Sequence, residues 1–405
     1  MSVVTSVRTE IRALVGNGKG RFLAPIALGW GLLLGTRVIF PVVLPYLRVD
    51  YGLSLSTAGL LVTVLWLGSA IGQLPSGILA DRYTERSIMT LSPVSVALGI
   101  MIIVSSTSSI ALFAGTAIIG MGISLYPVAR ITMLSKLYPD RIGSALGVTM
   151  ATGDLGQSIL PPIAGALAVG VAWQLGLGYV VPFMLLATIG LFFLLPRGQN
   201  TDSAVDEFST DALRSVLGTL RHPTMLFMGL VMFLFIFIWQ SFTAFFPTYL
   251  VEVKGISSTA ASALFGLFFA CGVVFKPLAG AAYDRVGMRL SLLLVLVGPL
   301  VGLVVLPAVG GLLALLGVTV LVSSMLGAGA VTQSFLSDAF PPDRRGTGLG
   351  AIRTAAATMG AIGPVVFGVL ADSGLFDEAY LVLAAIMLAV ILLTIRMPDA
   401  TPHLE

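Results

Sequence analysis

Twelve stretches of about 20 apolar residues, joined by short polar connections, constrain this chain more than any other feature. They run over approximately 22–47, 57–80, 88–106, 109–135, 143–168 and 173–195, then 224–250, 259–282, 290–308, 311–336, 346–371 and 376–395. A soluble domain carries roughly 25% charged residues. This 405-residue chain is 10% charged and 57% hydrophobic, with a mean hydropathy of +1.02. One core cannot hide that much apolar surface from water, so lipid is the expected solvent. In lipid a segment must satisfy its own backbone hydrogen bonds, which selects helices.

The chain also repeats itself. Gly77-Ile78-Leu79-Ala80-Asp81-Arg82-Tyr83-Thr84-Glu85-Arg86 and Gly280-Ala281-Ala282-Tyr283-Asp284-Arg285-Val286-Gly287-Met288-Arg289 share Gly, Asp, Arg and Arg at one internal spacing, offset by 203 residues. The same offset matches Pro139-Asp140-Arg141 to Pro342-Asp343-Arg344, Leu146-Gly147 to Leu349-Gly350, Gly165 to Gly368, and Tyr46-Leu47 to Tyr249-Leu250. One register thus aligns spans 1–5 with spans 7–11. A duplication of half the chain length points to two homologous halves. The expected fold class is an all-α membrane protein with twelve transmembrane helices in two pseudo-symmetric six-helix bundles.

The organisation expected from this pattern has five parts. Residues 1–21 form a basic N-terminal segment, 22–195 the first bundle, 196–223 a polar linker, 224–395 the second bundle and 396–405 a tail. The run after residue 21 is too long for a signal-peptide core, so it reads as the first span. Of 22 Lys and Arg residues, Arg37, Arg130, Lys276 and Arg353 lie within spans, Arg48 and Lys254 lie on one side, and the remaining sixteen lie on the other. By the positive-inside rule, both termini and both repeated loops are expected on the cytoplasmic side of the cell membrane.

The doubled loop between spans 2 and 3 and between spans 8 and 9 resembles the signature loop of the major facilitator superfamily. The resemblance covers the whole chain, because span count and linker also fit. It implies secondary transport by alternating access. It also implies that spans 1, 4, 7 and 10 line a cavity, spans 2, 5, 8 and 11 flank it, and spans 3, 6, 9 and 12 face lipid. Gly77, Asp81, Arg82, Arg86, Gly280, Asp284, Arg285 and Arg289 would then be gating residues, the carboxylates holding arginines and a helix end by charge-assisted hydrogen bonds.

A charge at bilayer depth is costly, about 2.5–3.5 kcal/mol on insertion scales, so its position is informative. The intramembrane charges are Arg37, Arg130, Asp154, Lys276 and Arg353, and none falls on span 3, 6, 9 or 12. Arg37 lies about 22 Å into span 1 at 1.5 Å per residue. A guanidinium at that depth suits a carboxylate or phosphate, to which it donates two parallel hydrogen bonds. Its run Arg-x-x-x-Pro-x-x-x-Pro-Tyr resembles span 1 of the superfamily's organic-phosphate permeases. Those carry a second arginine where this chain has Gln240. Lys276 and Arg353 are expected as second-half anion contacts, with Tyr126, Gln240 and Gln333 as neutral partners. Arg130 resembles a span-4 arginine coupled to proton movement in many members of the superfamily. Asp154, the sole acid deep in a span, is the expected proton carrier beside it. The alternative for this pair is a permanent structural ion pair.

Other classes are disfavoured. The two histidines, His222 and His403, lie in polar segments, and no phosphate-cradling loop or metal-ligand cluster appears, so neither enzyme chemistry nor a cofactor is expected. The net charge of +3 does not point to nucleic acid, and the single cysteine, Cys271, precludes an intramolecular disulfide. Four intramembrane cations face one acid. The expected activity is therefore proton-coupled movement of a small organic anion by a monomer in contact with membrane lipid. The alternatives are a proton-coupled multidrug exporter and a receptor built on a transporter scaffold.

Overall fold

The computed structural model describes residues 14, 16, 19–73, 83–196, 223–339 and 345–396. All regular structure among them is helical. In chain order the helices are α1 Gly20–Tyr51, α2 Leu55–Ile71, α3 Glu85–Ser105, α4 Ser109–Ser124, α5 Tyr126–Leu137, α6 Ile142–Gly170, α7 Trp173–Gly178 and α8 Val181–Leu194. The second half adds α9 Pro223–Glu252, α10 Ser258–Val305, α11 Leu312–Ser323, α12 Ala328–Ala339, α13 Arg345–Gly360, α14 Gly363–Asp372 and α15 Phe376–Arg396. Among the described residues nine helical stretches are long and apolar enough to cross a membrane, and Leu55–Ile71 is a shorter apolar helix. The described part of each of the twelve expected spans falls largely on helix, and residues 74–80 of the second lie outside the described residues. The expected linker and both terminal segments lie almost wholly outside the described residues.

One expected boundary differs. Spans 8 and 9 were expected to be separated by a loop over 283–289, but helix runs through it as the single element α10. The break is one residue, Gly287, at φ 74° and ψ 178°. Ala281, Ala282 and Arg285 favour helix, and only the glycine takes the left-handed φ without strain.

The duplication is visible in local chemistry. α1 and α9 are each followed by a left-handed glycine, Gly52 at φ 61° and Gly255 at φ 65°. Two residues later, Ser54 Oγ accepts from the Thr57 amide at 3.1 Å and Ser257 Oγ accepts from the Ala260 amide at 3.3 Å, capping the next helix in each half. Thr116 and Thr319, at equivalent positions, donate to the carbonyls of Leu112 and Leu315, both at 2.7 Å. A Cβ on Gly99 would meet the Ile119 side chain, and one on Gly302 would meet Val322, so the same two helices approach closely in each half.

The chain packs as two compact units. One takes the chain up to Phe40 and resumes at Leu67, and the other takes Pro41–Trp66 and the C-terminal half. The boundary therefore passes through α1 at Pro41 and through α2 after Trp66. In the first unit, α3 packs along α4 and α8. There α1 and α6 also touch backbone to backbone, since a Cβ on Gly156 would fall on the Gly31 carbonyl. In the second unit, α10 packs along α11, α12 and α15, and α9 along α13 and α15. An aromatic core fills it, with Phe242, Phe245, Phe246, Phe268 and Tyr380 fully buried.

Residues 41–66 are tied to the second unit by polar and steric contacts. Arg48 forms an ion pair with Glu252. The Asp372 carboxylate accepts from the amides of Leu55 at 2.6 Å and Ser56 at 2.8 Å, capping α2 from the end of α14. A Cβ on Gly59 would fall on the Pro364 carbonyl, and one on Gly368 on the Leu55 carbonyl, so α2 and α14 meet with no side chain between them. Trp66 sets its ring against Trp239, with centroids 4.9 Å apart at 69°.

Candidate functional site

In the first unit the candidate residues come from α1, α5 and α6. Arg37 is partly buried in α1 beside the fully buried Thr36. Pro41 follows one turn later. It has no N–H, so the carbonyl of residue 37 lacks the donor that a regular helix supplies. The charged side chain thus sits where the helix backbone is weakest and where the unit boundary crosses it.

Arg130 is 5% exposed and donates to Thr149 Oγ1 on α6 at 2.8 Å. Its guanidinium lies 4.1 Å from the ring centre of Trp30 on α1. Trp30 stacks in turn on Tyr126, with centroids 6.2 Å apart at 19°. The Tyr126 hydroxyl donates to the Ile26 carbonyl at 2.9 Å. Cation–π contacts of desolvated arginines are worth up to about 2 kcal/mol, so Trp30 is a substantial partner. Tyr126 is fully buried and works here as a strut between α5 and α1. On α6, Asp154 Oδ1 accepts from Gln157 Nε2 at 3.5 Å, and the acid is partly buried.

In the second unit, Gln240 lies on α9 at the position equivalent to Arg37. It is 2% exposed, and its Oε1 has no hydrogen-bond partner among the described residues. Neighbouring Trp239 Nε1 is in the same condition. Arg353 on α13 donates to Gln333 Oε1 on α12 at 3.1 Å, so these two residues come together. Lys276 on α10 is partly buried, its aliphatic stem beside Gly272.

Of the expected gating residues, Gly77, Asp81 and Arg82 lie outside the described residues. Arg86 turns to α8, its guanidinium 4.5 Å from the Phe192 ring centre and its Nη1 3.4 Å from the Leu195 carbonyl. Gly280, Asp284, Arg285 and Arg289 lie on α10, the three charged side chains exposed. Trp30, Thr149, Glu252 and Asp372 were not among the expected functional residues. A tryptophan inside a span, and an acid at the end of a span that should face water, are the signals that point to them.

An all-helical chain duplicated about a 203-residue register, with ionisable side chains held inside apolar helices, defines a multi-pass membrane protein of the solute-transporter type. The profile of the Major Facilitator Superfamily matches residues 26–337 and 255–405. The chain belongs to that superfamily and is a membrane transporter, not an enzyme. It is 26% identical over 385 residues to the hexuronate transporter of Bacillus subtilis (strain 168), covering 89% of this chain and 90% of that one. It is 23% identical over 354 residues to the cis,cis-muconate transport protein of Acinetobacter baylyi, covering 84% of each. Its fold matches a crystallised variant of the nucleoside transporter NupG with a TM-score of 0.81 at 14% identity, over 93% of this chain and all of that one.

Proposed function

We propose that this transporter moves a small organic carboxylate across the cytoplasmic membrane by alternating access, coupled to protons, with both termini in the cytoplasm. The observation that carries this reading is Arg37. It is a permanently charged guanidinium, partly buried 17 residues into an apolar helix and next to a proline that frees the backbone there. Lys276 and Arg353 are the cations of the second half, and Gln240 supplies a buried acceptor to a hydroxyl or a protonated group. The names of two relatives aligned over most of the chain, hexuronate and cis,cis-muconate, both denote carboxylates, which supports the same chemistry. Asp154 is the proton carrier in this scheme, since it is the acid on the spans of the first half that a substrate anion would compete with for cationic partners. The sixteen-to-two distribution of Lys and Arg supports the orientation.

The test is a thermal-shift panel on purified protein with hexuronates, muconate, phosphate esters and lipophilic cations, comparing wild type with Arg37→Gln. A ligand that binds the native state raises its melting temperature by mass action. Stabilisation by a carboxylate that vanishes in the variant is the expected result. Stabilisation by lipophilic cations alone, unchanged in the variant, overturns the reading in favour of drug export.

A further inference from the structure

A groove with about 300 Å³ of free volume opens on the outside of the first unit, where α3 begins and α8 ends. Arg86, Ser87, Thr90, Leu91, Val94 and Phe192 line it. Its chemistry is graded along α3. Arg86 and the two hydroxyls lie in the first turns, and Leu91 and Val94, 47% and 38% exposed, follow one and two turns deeper. Across the groove Phe192 is 46% exposed, and its neighbour Phe193 is 72% exposed. A single amphiphile with an anionic head and an acyl tail has the same gradient over the same distance.

The charge in the groove is specific. Arg86 rests its guanidinium face on Phe192 and uses one N–H towards the Leu195 carbonyl, leaving further donors of the fork for a ligand. Glu85, the adjacent acid, is 7% exposed and paired with Lys136 on α5 rather than turned into the groove. Among the described residues that line the groove the charged side chain is Arg86, a cation, which favours an anionic headgroup. Ser87 Oγ lies 2.9 Å from Thr84 Oγ1 and is exposed, so it can turn its proton to a headgroup oxygen. The groove also lies at the start of a helix, whose positive dipole end favours an anion. We infer that Arg86, Ser87 and Phe192 form a binding site for the phosphodiester of an anionic phospholipid, with Thr90, whose hydroxyl donates to the Arg86 carbonyl at 2.7 Å, in the wall below them and an acyl chain along Leu91 and Val94. This inference is independent of the substrate reading.

The experiment is native mass spectrometry of the full chain released from detergent after equilibration with equimolar phosphatidylglycerol and phosphatidylcholine. Wild type should retain phosphatidylglycerol preferentially, and inorganic phosphate should not displace it. Arg86→Gln should reduce that preference roughly fivefold, the value of one basic side chain at an anionic membrane surface. Arg396→Gln, which removes an exposed cation at the end of α15 outside the groove, should leave it unchanged. Equal retention of the two lipids by wild type, equal losses in the two variants, or displacement by inorganic phosphate would each overturn the site. Where Arg86→Gln does not elute as folded protein, Phe192→Leu and Arg86→Lys carry the test. Phe192→Leu should weaken retention by removing the seat of the guanidinium and Arg86→Lys should preserve part of it, whereas full preference in Phe192→Leu would overturn the site.

Discussion

At the scale of single residues, the intramembrane charges differ in how they are held. Arg130 is held by Thr149 and Trp30, so it stabilises the contact of α5 with α6 and α1 whatever else it does. Arg37 is the deep cation of α1, partly buried one turn before Pro41. Removing a charge-assisted hydrogen bond loses about 1.5–3 kcal/mol. Arg37→Gln should therefore weaken carboxylate binding by roughly 10- to 100-fold, at 1.4 kcal/mol per decade. Isothermal titration with the carboxylate found in the thermal panel checks this. Asp154→Asn separates transport from coupling. In proteoliposomes the variant should still exchange labelled for unlabelled substrate but should no longer accumulate it against a gradient when a pH difference is imposed. Accumulation at the wild-type level would remove Asp154 from the proton path. The existence and depth of these charges could be read from sequence, because depth follows from counting along an apolar run. Their partners could not. Trp30 and Arg130 are 100 residues apart, and only the packing of α1 on α5 shows that the guanidinium rests on an indole.

At the scale of elements, the 203-residue register fixed more than span number. It places left-handed glycines at 52 and 255 and capping serines at 54 and 257, so each half re-enters the membrane by the same turn chemistry. It gave no warning that α10 would continue through the expected loop, because helix propensity there opposes the charge pattern and Gly287 alone decides the break. Nor did it show that α2 would meet α14, since register says which residues are equivalent and not which faces touch. The contact itself depends on two glycines facing carbonyls, Gly59 towards Pro364 and Gly368 towards Leu55. No flexible side-chain end stands there to yield, so a new side chain must push the helices apart. Overpacking of this kind costs about 1–3 kcal/mol. Gly368→Val and Gly59→Leu should each lower the melting temperature of the protein. Each should also increase the hydrogen exchange of the first turn of α2, whose amides at Leu55 and Ser56 depend on Asp372. An unchanged exchange rate at those two amides in a folded variant would mean that the close approach does not hold the cap in place.

At the scale of the whole molecule, the unit boundary divides two helices rather than running between them. α1 and α2 each have one part in the first unit and one in the second, and Pro41 lies at the crossing in α1. Any cycle that moves the units must either bend these helices at that point or release 41–66 from its partners. The polar ties are the Arg48–Glu252 pair and the Asp372 cap, and they add to the close packing of α2 on α14 and the Trp66–Trp239 contact. The ion pair is partly exposed, with side chains 19% and 35% accessible, so it contributes no more than about 1 kcal/mol. The cap contributes about 1 kcal/mol. Together they add about 2 kcal/mol to the attached arrangement, close to 30-fold in population. Glu252→Ala combined with Asp372→Asn should therefore raise the detached population roughly 30-fold, and each single variant about fivefold. A cysteine at Leu55, which is 7% exposed, reports on this in a Cys271→Ser background. Its rate of reaction with a membrane-impermeant maleimide should follow the detached fraction. Carboxylate binding should change that rate in wild type and change it less in the double variant, where the polar contribution is already lost. Labelling that stays at the wild-type rate in a folded double variant would show that apolar packing of α2 on α14, and not the polar ties, sets how often residues 41–66 come away.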